Sequence, residues 1–166
     1  MLNEGQIKYL ETMLEAKKAV IKPFNPKGLE VAYKIIAQIK AVEPDLKVML
    51  LGSLPLKISG QEDIDISVFC ERSKWPNHLD NLKKLFGEPN RNTQSAVKWE
   101  FKREEFGVGV LLADPNSQVT KDQVKLFIYL KIIQSFCANM SKLKRVLRVY
   151  HIKNTKKVNT SFLIKF

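Results

Sequence analysis

Acidic residues run out early in this chain: no Asp or Glu follows Asp122, although the 166 residues hold 17 of them. Lysine and arginine continue, and 10 of the 28 lie between Lys125 and Lys165 with no acid opposing them. Up to Asp122 the two signs nearly cancel, so essentially all of the net charge of +11 belongs to the C-terminal quarter. Histidine is scarce too. His78 and His151 are the only two, and neither has a paired Asp, a cysteine or a second histidine at ligand spacing, so both read as surface residues. The two cysteines, Cys70 and Cys137, are too few for a disulfide framework and lack metal-ligand spacing. Each reads as a small packed hydrophobe in a reducing cytoplasm. No apolar run approaches the roughly 18–20 residues of a membrane span, which excludes a membrane partner. Met1 to Gln6 show no basic stretch leading into an apolar one, so no secretory signal is expected. There is no internal repeat.

A hydrophobic share of 45% with 27% charged residues is ordinary for a soluble globular protein, and the length suits one domain. Residues 1–150 read as that domain and 151–166 as a basic tail. Helical spacing runs through Ile7, Leu10, Leu14 and Ile21 and stops at Pro23. Asn25-Pro26 predicts a cap and first turn for a second helix carrying Leu29, Ala32-Tyr33, Ile36 and Ile39 inward, ending near Pro44. Lys47–Leu51 reads as a short buried strand and Ser53–Ile58 as a short helix. Asp63–Phe69 is a second strand, and Trp75–Phe86 a helix stopped by Gly87. Val97–Lys102 and Val108–Ala113 form a hairpin around Arg103-Glu104-Glu105. A helix over Val119–Phe136, with Val124, Phe127, Ile128 and Ile132 inward, precedes a last one carrying Leu143, Val146, Leu147 and Tyr150. Phe162-Leu163-Ile164 docks as a strand or not at all. Trp75, Trp99 and Phe101 sit beside basic residues that suit base stacking, but their spacing favours the core. Strands and helices mixed in this order predict an α+β fold, a mixed β-sheet flanked by helices.

Chemistry concentrates in two short elements. Val48-Met49-Leu50-Leu51 runs into Gly52-Ser53, and ten residues later comes Asp63-Ile64-Asp65-Ile66. Alternation along a strand sends Asp63 and Asp65 to one face and Ile64, Ile66 and Val68 to the core. Paired carboxylates on a rigid strand suit Mg²⁺, which is held by one or two carboxylates together with substrate phosphates. Glycine and serine at the exit of a strand, followed by a helix N-terminus, suit phosphate. Lys57 lies six residues before Asp63 and is a further phosphate contact, or a solvated surface lysine.

These residues, Leu50-Leu51-Gly52-Ser53 and then Asp63-Ile64-Asp65-Ile66, resemble the signature of the nucleotidyltransferase superfamily typified by DNA polymerase β. Over its length the chain is most similar to the GrpB-like family, through Trp99-Glu100-Phe101-Lys102, the run Phe106 to Leu112 leading to Asp114-Pro115-Asn116-Ser117, and Phe127-Ile128-Tyr129-Leu130-Lys131. The resemblance covers the chain to about Tyr150. It implies a minimal nucleotidyltransferase fold and Mg²⁺-dependent transfer of a nucleoside monophosphate from ATP or another NTP to an acceptor. Asp63 and Asp65 would hold the metal, and Gly52, Ser53 and Lys57 the triphosphate. The superfamily places a third carboxylate on the strand beside the Asp-x-Asp strand, and there this chain has Gly109-Val110. Glu100, on the partnering strand, is the candidate third catalytic residue, with Asp114 as a substitute. Glu100 also reads as a solvent-face residue, and Asp114 as a turn residue.

Two other readings stand beside the enzyme. A module that kept the fold without the third acid would bind nucleotide, or RNA or another polyanion through the basic C-terminal segment. A regulatory transferase would modify a partner protein or tRNA. The plain alternative for the basic segment is a solvated helix face and tail.

Overall fold

The computed structural model describes residues 20–139. The predicted first helix lies outside them except for Val20 and Ile21, which are exposed and not helical. The predicted last helix, His151 and the Phe162–Ile164 segment also lie outside the described residues. The chain divides into two compact units, Met1–Lys121 and Asp122–Phe166.

In the first unit the order is α1 (Lys27–Val42), β1 (Lys47–Leu51), β2 (Asp63–Phe69), α2 (Trp75–Phe86), β3 (Arg91–Asn92), β4 (Ala96–Arg103) and β5 (Phe106–Ala113). The five strands make one sheet in the order β1-β2-β5-β4-β3. β2 and β5 run parallel, and every other neighbouring pair is antiparallel. This is the expected α+β arrangement, with β5 beside the Asp-x-Asp strand. The hairpin is also as read, tightened so that Glu104 and Glu105 alone join Arg103 to its partner Phe106.

One face of the sheet is hydrocarbon. Ile64, Ile66 and Val68 of β2, Val108, Val110 and Leu112 of β5, and Val97 and Trp99 of β4 are all buried in one cluster. Val31, Ala32, Ile35 and Ile39 of α1 join the cluster, as do Trp75 and Leu82 of α2. Their i, i+3/i+4 spacing gives each helix the single apolar stripe that such a face requires. The aromatic residues are structural: the Trp99 indole N–H donates to the Gly87 carbonyl at 2.8 Å, that of Trp75 to the Cys70 carbonyl at 2.9 Å, and Phe86 stacks on Phe101.

Several expectations need correction. Tyr33 points outward and is 60% exposed, because the stripe of α1 runs through Ala32, Ile35 and Ile39. The helix begins one residue later than predicted: Pro26 takes the cap position, and Asn25 Oδ1 accepts from the Lys27 N–H at 3.1 Å. Ser53–Ile58 is not a helix. The Ser53 carbonyl accepts from the Leu56 and Ile58 N–H groups, Lys57 adopts a left-handed φ of 54°, and the chain leaves the turn there. His78 does have an acid partner: its Nδ1 lies 2.7 Å from Glu43 Oε2, while Asn81 Nδ2 donates to Glu43 Oε1 at 2.9 Å. Glu43, just past α1, is buried, so this cluster ties α1 to α2. Cys70 is packed as expected, but Cys137 is exposed. β3, two residues long, was not anticipated.

A helix runs through 118–139. In the part of it that belongs to the second unit, Phe127 is buried as predicted, but Ile128 and Ile132 are exposed. No helix among the described residues is long and apolar enough to cross a membrane.

Candidate functional site

The polar face of the sheet is built by the same alternation that fills the core. Asp63, Asp65 and Ser67 stand opposite in sense to Ile64, Ile66 and Val68 along β2. Register then aligns rows across the strands, since paired residues share a face. Leu51, Asp65, Gly109 and Glu100 form one row, and Asp63, Gly107 and Lys102 the next. The two acids thus lie on one surface, as expected, with Asp63 exposed and Asp65 half-buried.

Asp65 occupies a slot between two glycines. A Cβ on Gly52 would sit 2.8 Å from Asp65 Oδ2, and one on Gly109 would sit 3.4 Å from Oδ1. Gly52 also holds a φ of 77°, which side chains disfavour, so it both turns the chain out of β1 and leaves room for the carboxylate. Its evident duty is to Asp65. Ser53 is seated in a similar way. Its hydroxyl rests on Gly60, where an added Cβ would fall only 2.1 Å from Oγ. Gly60 is fixed in turn by a two-way backbone pairing with Lys22, at 2.8 and 3.0 Å, and the Lys22 ammonium pairs with Glu62. The cavity lined by Ser53, Gly60, Asp63, Pro23, Phe24 and Phe106 is about 10 Å³, room for one water. A triphosphate would have to lie over the open sheet face, not in that notch.

Burial pushes the Asp65 carboxyl above the ordinary aspartate range, the charge of Asp63 adds to this, and Lys98 opposes it. A half-buried acid beside a second acid is a place where an added cation relieves repulsion. Two carboxylates are enough for Mg²⁺ when phosphates complete the shell, so the residues fit a metal arriving with a nucleotide. They do not make a site for a bare ion: among the described residues no three His, Cys, Asp or Glu gather as ligands.

Comparison with known proteins adds little at this level of likeness. No family model matches the chain. No curated protein matches it. Among solved structures, one of Cid1, described by its RNA terminal uridylyl transferase activity, superposes with a TM-score of 0.49 at 14% identity over 77% of this chain. Another, of the Cid1 poly(U) polymerase with MgGTP bound, gives 0.48 at 14% over 77%. The chain spans 41% and 42% of the length of those two.

The remaining candidates divide. Gly109 does stand opposite Asp65, where the resemblance implies a third acid. Glu100 is in the same row but one strand further, exposed, and paired with Lys98 Nζ at 2.5 Å. Asp114 takes the turn reading: it follows Ala113, which pairs with Phe69 at the far end of β2, and its Oδ1 accepts from the Asn116 N–H at 2.9 Å. It belongs to a turn remote from both acids. Lys57 is exposed, and its backbone N–H donates to the Leu54 carbonyl at 3.0 Å within the turn. Without a helix after Ser53, the helix-terminal charge expected to draw phosphate there is also missing. Three residues not singled out in the sequence complete the surroundings: Gly60, Lys98 and Lys102. The lysines had a legible signal, since Lys98, Glu100 and Lys102 alternate with Trp99 and Phe101. Gly60 had none, because Lys22, its backbone partner, is distant in sequence.

Proposed function

We propose that this chain is a GrpB-like nucleotidyltransferase that binds a nucleoside triphosphate with Mg²⁺ on the polar face of its sheet. The observation that carries this reading is the slot holding Asp65 beside Asp63, made by glycines at both flanks and open to solvent above. Mg²⁺, when bound, neutralises phosphate charge and polarises the bond to the leaving pyrophosphate. The chain's own residues do the rest. Asp63 and Asp65 hold the ion, and Gly52 keeps Asp65 in place. Ser53 offers its hydroxyl beside Asp63, and Lys57 and Lys102 are cations at the same end of the sheet. Glu100 is the acid in the row of Gly109, and it would take a proton from an acceptor hydroxyl out of its ion pair with Lys98.

Calorimetric binding of a non-hydrolysable ATP analogue tests this. Binding should require Mg²⁺ and weaken at least about tenfold (~1.4 kcal/mol) in Asp63→Asn and Asp65→Asn. Indifference to both substitutions removes the metal role.

A second reading, of a binding module with little catalysis, is favoured by one observation: Gly109 stands where an acid would complete the site. Nucleotide binding without any transfer product, over a panel of RNA and small hydroxyl acceptors, would select it.

A further inference from the structure

Lys98 and Glu100 stand two residues apart on β4 and so share the face of Asp65. The lysine stem reaches over the bare backbone of Gly109. Its Cε lies 3.7 Å from the position of a Cβ on that glycine, and Asp65 Oδ1 lies 3.4 Å from the same position. Its ammonium donates to Glu100 Oε1. The space in which a third carboxylate would meet a second metal ion is therefore flanked by a protein cation.

Resting on the reading of Asp63 and Asp65 as metal ligands, we propose that Lys98 is a resident cation of this site. Its ammonium replaces a second divalent ion, and the site loads one Mg²⁺ per nucleoside triphosphate. Geometry supports this count. A second divalent ion over Gly109 would sit close to the Lys98 cation, with no acid on β5 to hold it. A small residue at 109 suits such a side-chain cation: a Cβ there would already touch the lysine stem at 3.7 Å, and a longer side chain would compete with it for the same space.

The test counts ions rather than turnover. Mn²⁺, a spectroscopic substitute for Mg²⁺, is titrated into the full chain with equimolar non-hydrolysable ATP analogue, and bound ion is read by electron paramagnetic resonance. The wild type should hold one Mn²⁺, and Lys98→Arg should behave the same. Lys98→Gln and Lys98→Met, both at a partly exposed position, should bind a second ion or bind the first about tenfold more tightly. Thermal unfolding of each variant confirms that it folds. Two ions in the wild type, or an unchanged count and affinity in folded Lys98→Gln and Lys98→Met, overturns the proposal. Mn²⁺ binding that survives Asp63→Asn and Asp65→Asn is a different result: it rejects the metal reading itself.

Discussion

At the scale of single residues, the site depends on atoms that are absent. Gly52 has a left-handed backbone and a neighbour, Asp65 Oδ2, inside the space of a methyl group. Gly52→Ala should cost about 1–3 kcal/mol from the backbone alone, and it should also swing the carboxylate away. Chemical denaturation should therefore show the loss together with weakened Mg²⁺-nucleotide binding. Gly109→Ala meets Oδ1 at a tolerable 3.4 Å and should be milder in both respects. Cys70 makes a separate prediction. Burial pushes its thiol above the ordinary value, outweighing the opposing effect of Lys74. A group raised on folding adds stability in full below its unfolded value, near 9.0 here, and loses it as pH climbs through the folded value. At pH 8.5 a maleimide should label exposed Cys137 promptly and Cys70 only after unfolding, with mass spectrometry assigning the sites. Of these residues, Asp63 and Asp65 were legible from period-two alternation. Gly109 was placed beside them by register, but the fit of the Asp65 carboxylate between Gly52 and Gly109 was not legible, because it depends on how three separate segments meet.

Among the elements, legibility followed the strength of local punctuation. α2 has its predicted bounds because its apolar stripe is short and Gly87 stops it. The segment after Gly52 misled for a physical reason: Leu54 and Leu56 are both buried, and the left-handed Lys57 ends the turn before a helix can propagate. The link between α1 and α2 was equally hidden. Glu43 follows the first helix and collects His78 and Asn81 from the second, so nothing local announces it. Buried Glu43 leaves two polar partners behind when truncated, and Glu43→Ala should cost roughly 2–4 kcal/mol. A double-mutant cycle with His78→Ala should return a coupling of about 1 kcal/mol or more. Additive losses would remove this contact from the account.

For the whole molecule, charge was the most legible property and the least tied to the described fold. The basic excess lies beyond Asp122, whereas the sheet and its acids lie in the first unit. Deleting the residues after Lys142 should therefore abolish salt-sensitive retention on RNA and leave Mg²⁺-nucleotide binding within about twofold of the full chain. Filter binding at two ionic strengths reads the first, since each released phosphate contact flattens the salt slope by about one. Retention that survives the deletion assigns RNA contact to another surface. Fold class was legible at this scale because alternating strands and striped helices leave few ways to cover one apolar sheet face.

The parallel pairing of β2 with β5 has one more consequence. Sliding β5 by a single position would set Val108 or Val110 against Asp65 in place of Gly109, and turn hydrocarbon toward a carboxylate along the whole seam. The glycine that leaves space for the acid therefore also polices the alignment of strands far apart in the chain. Only molecules that have matched them correctly possess the slot, so incorrectly zipped chains are silent by construction.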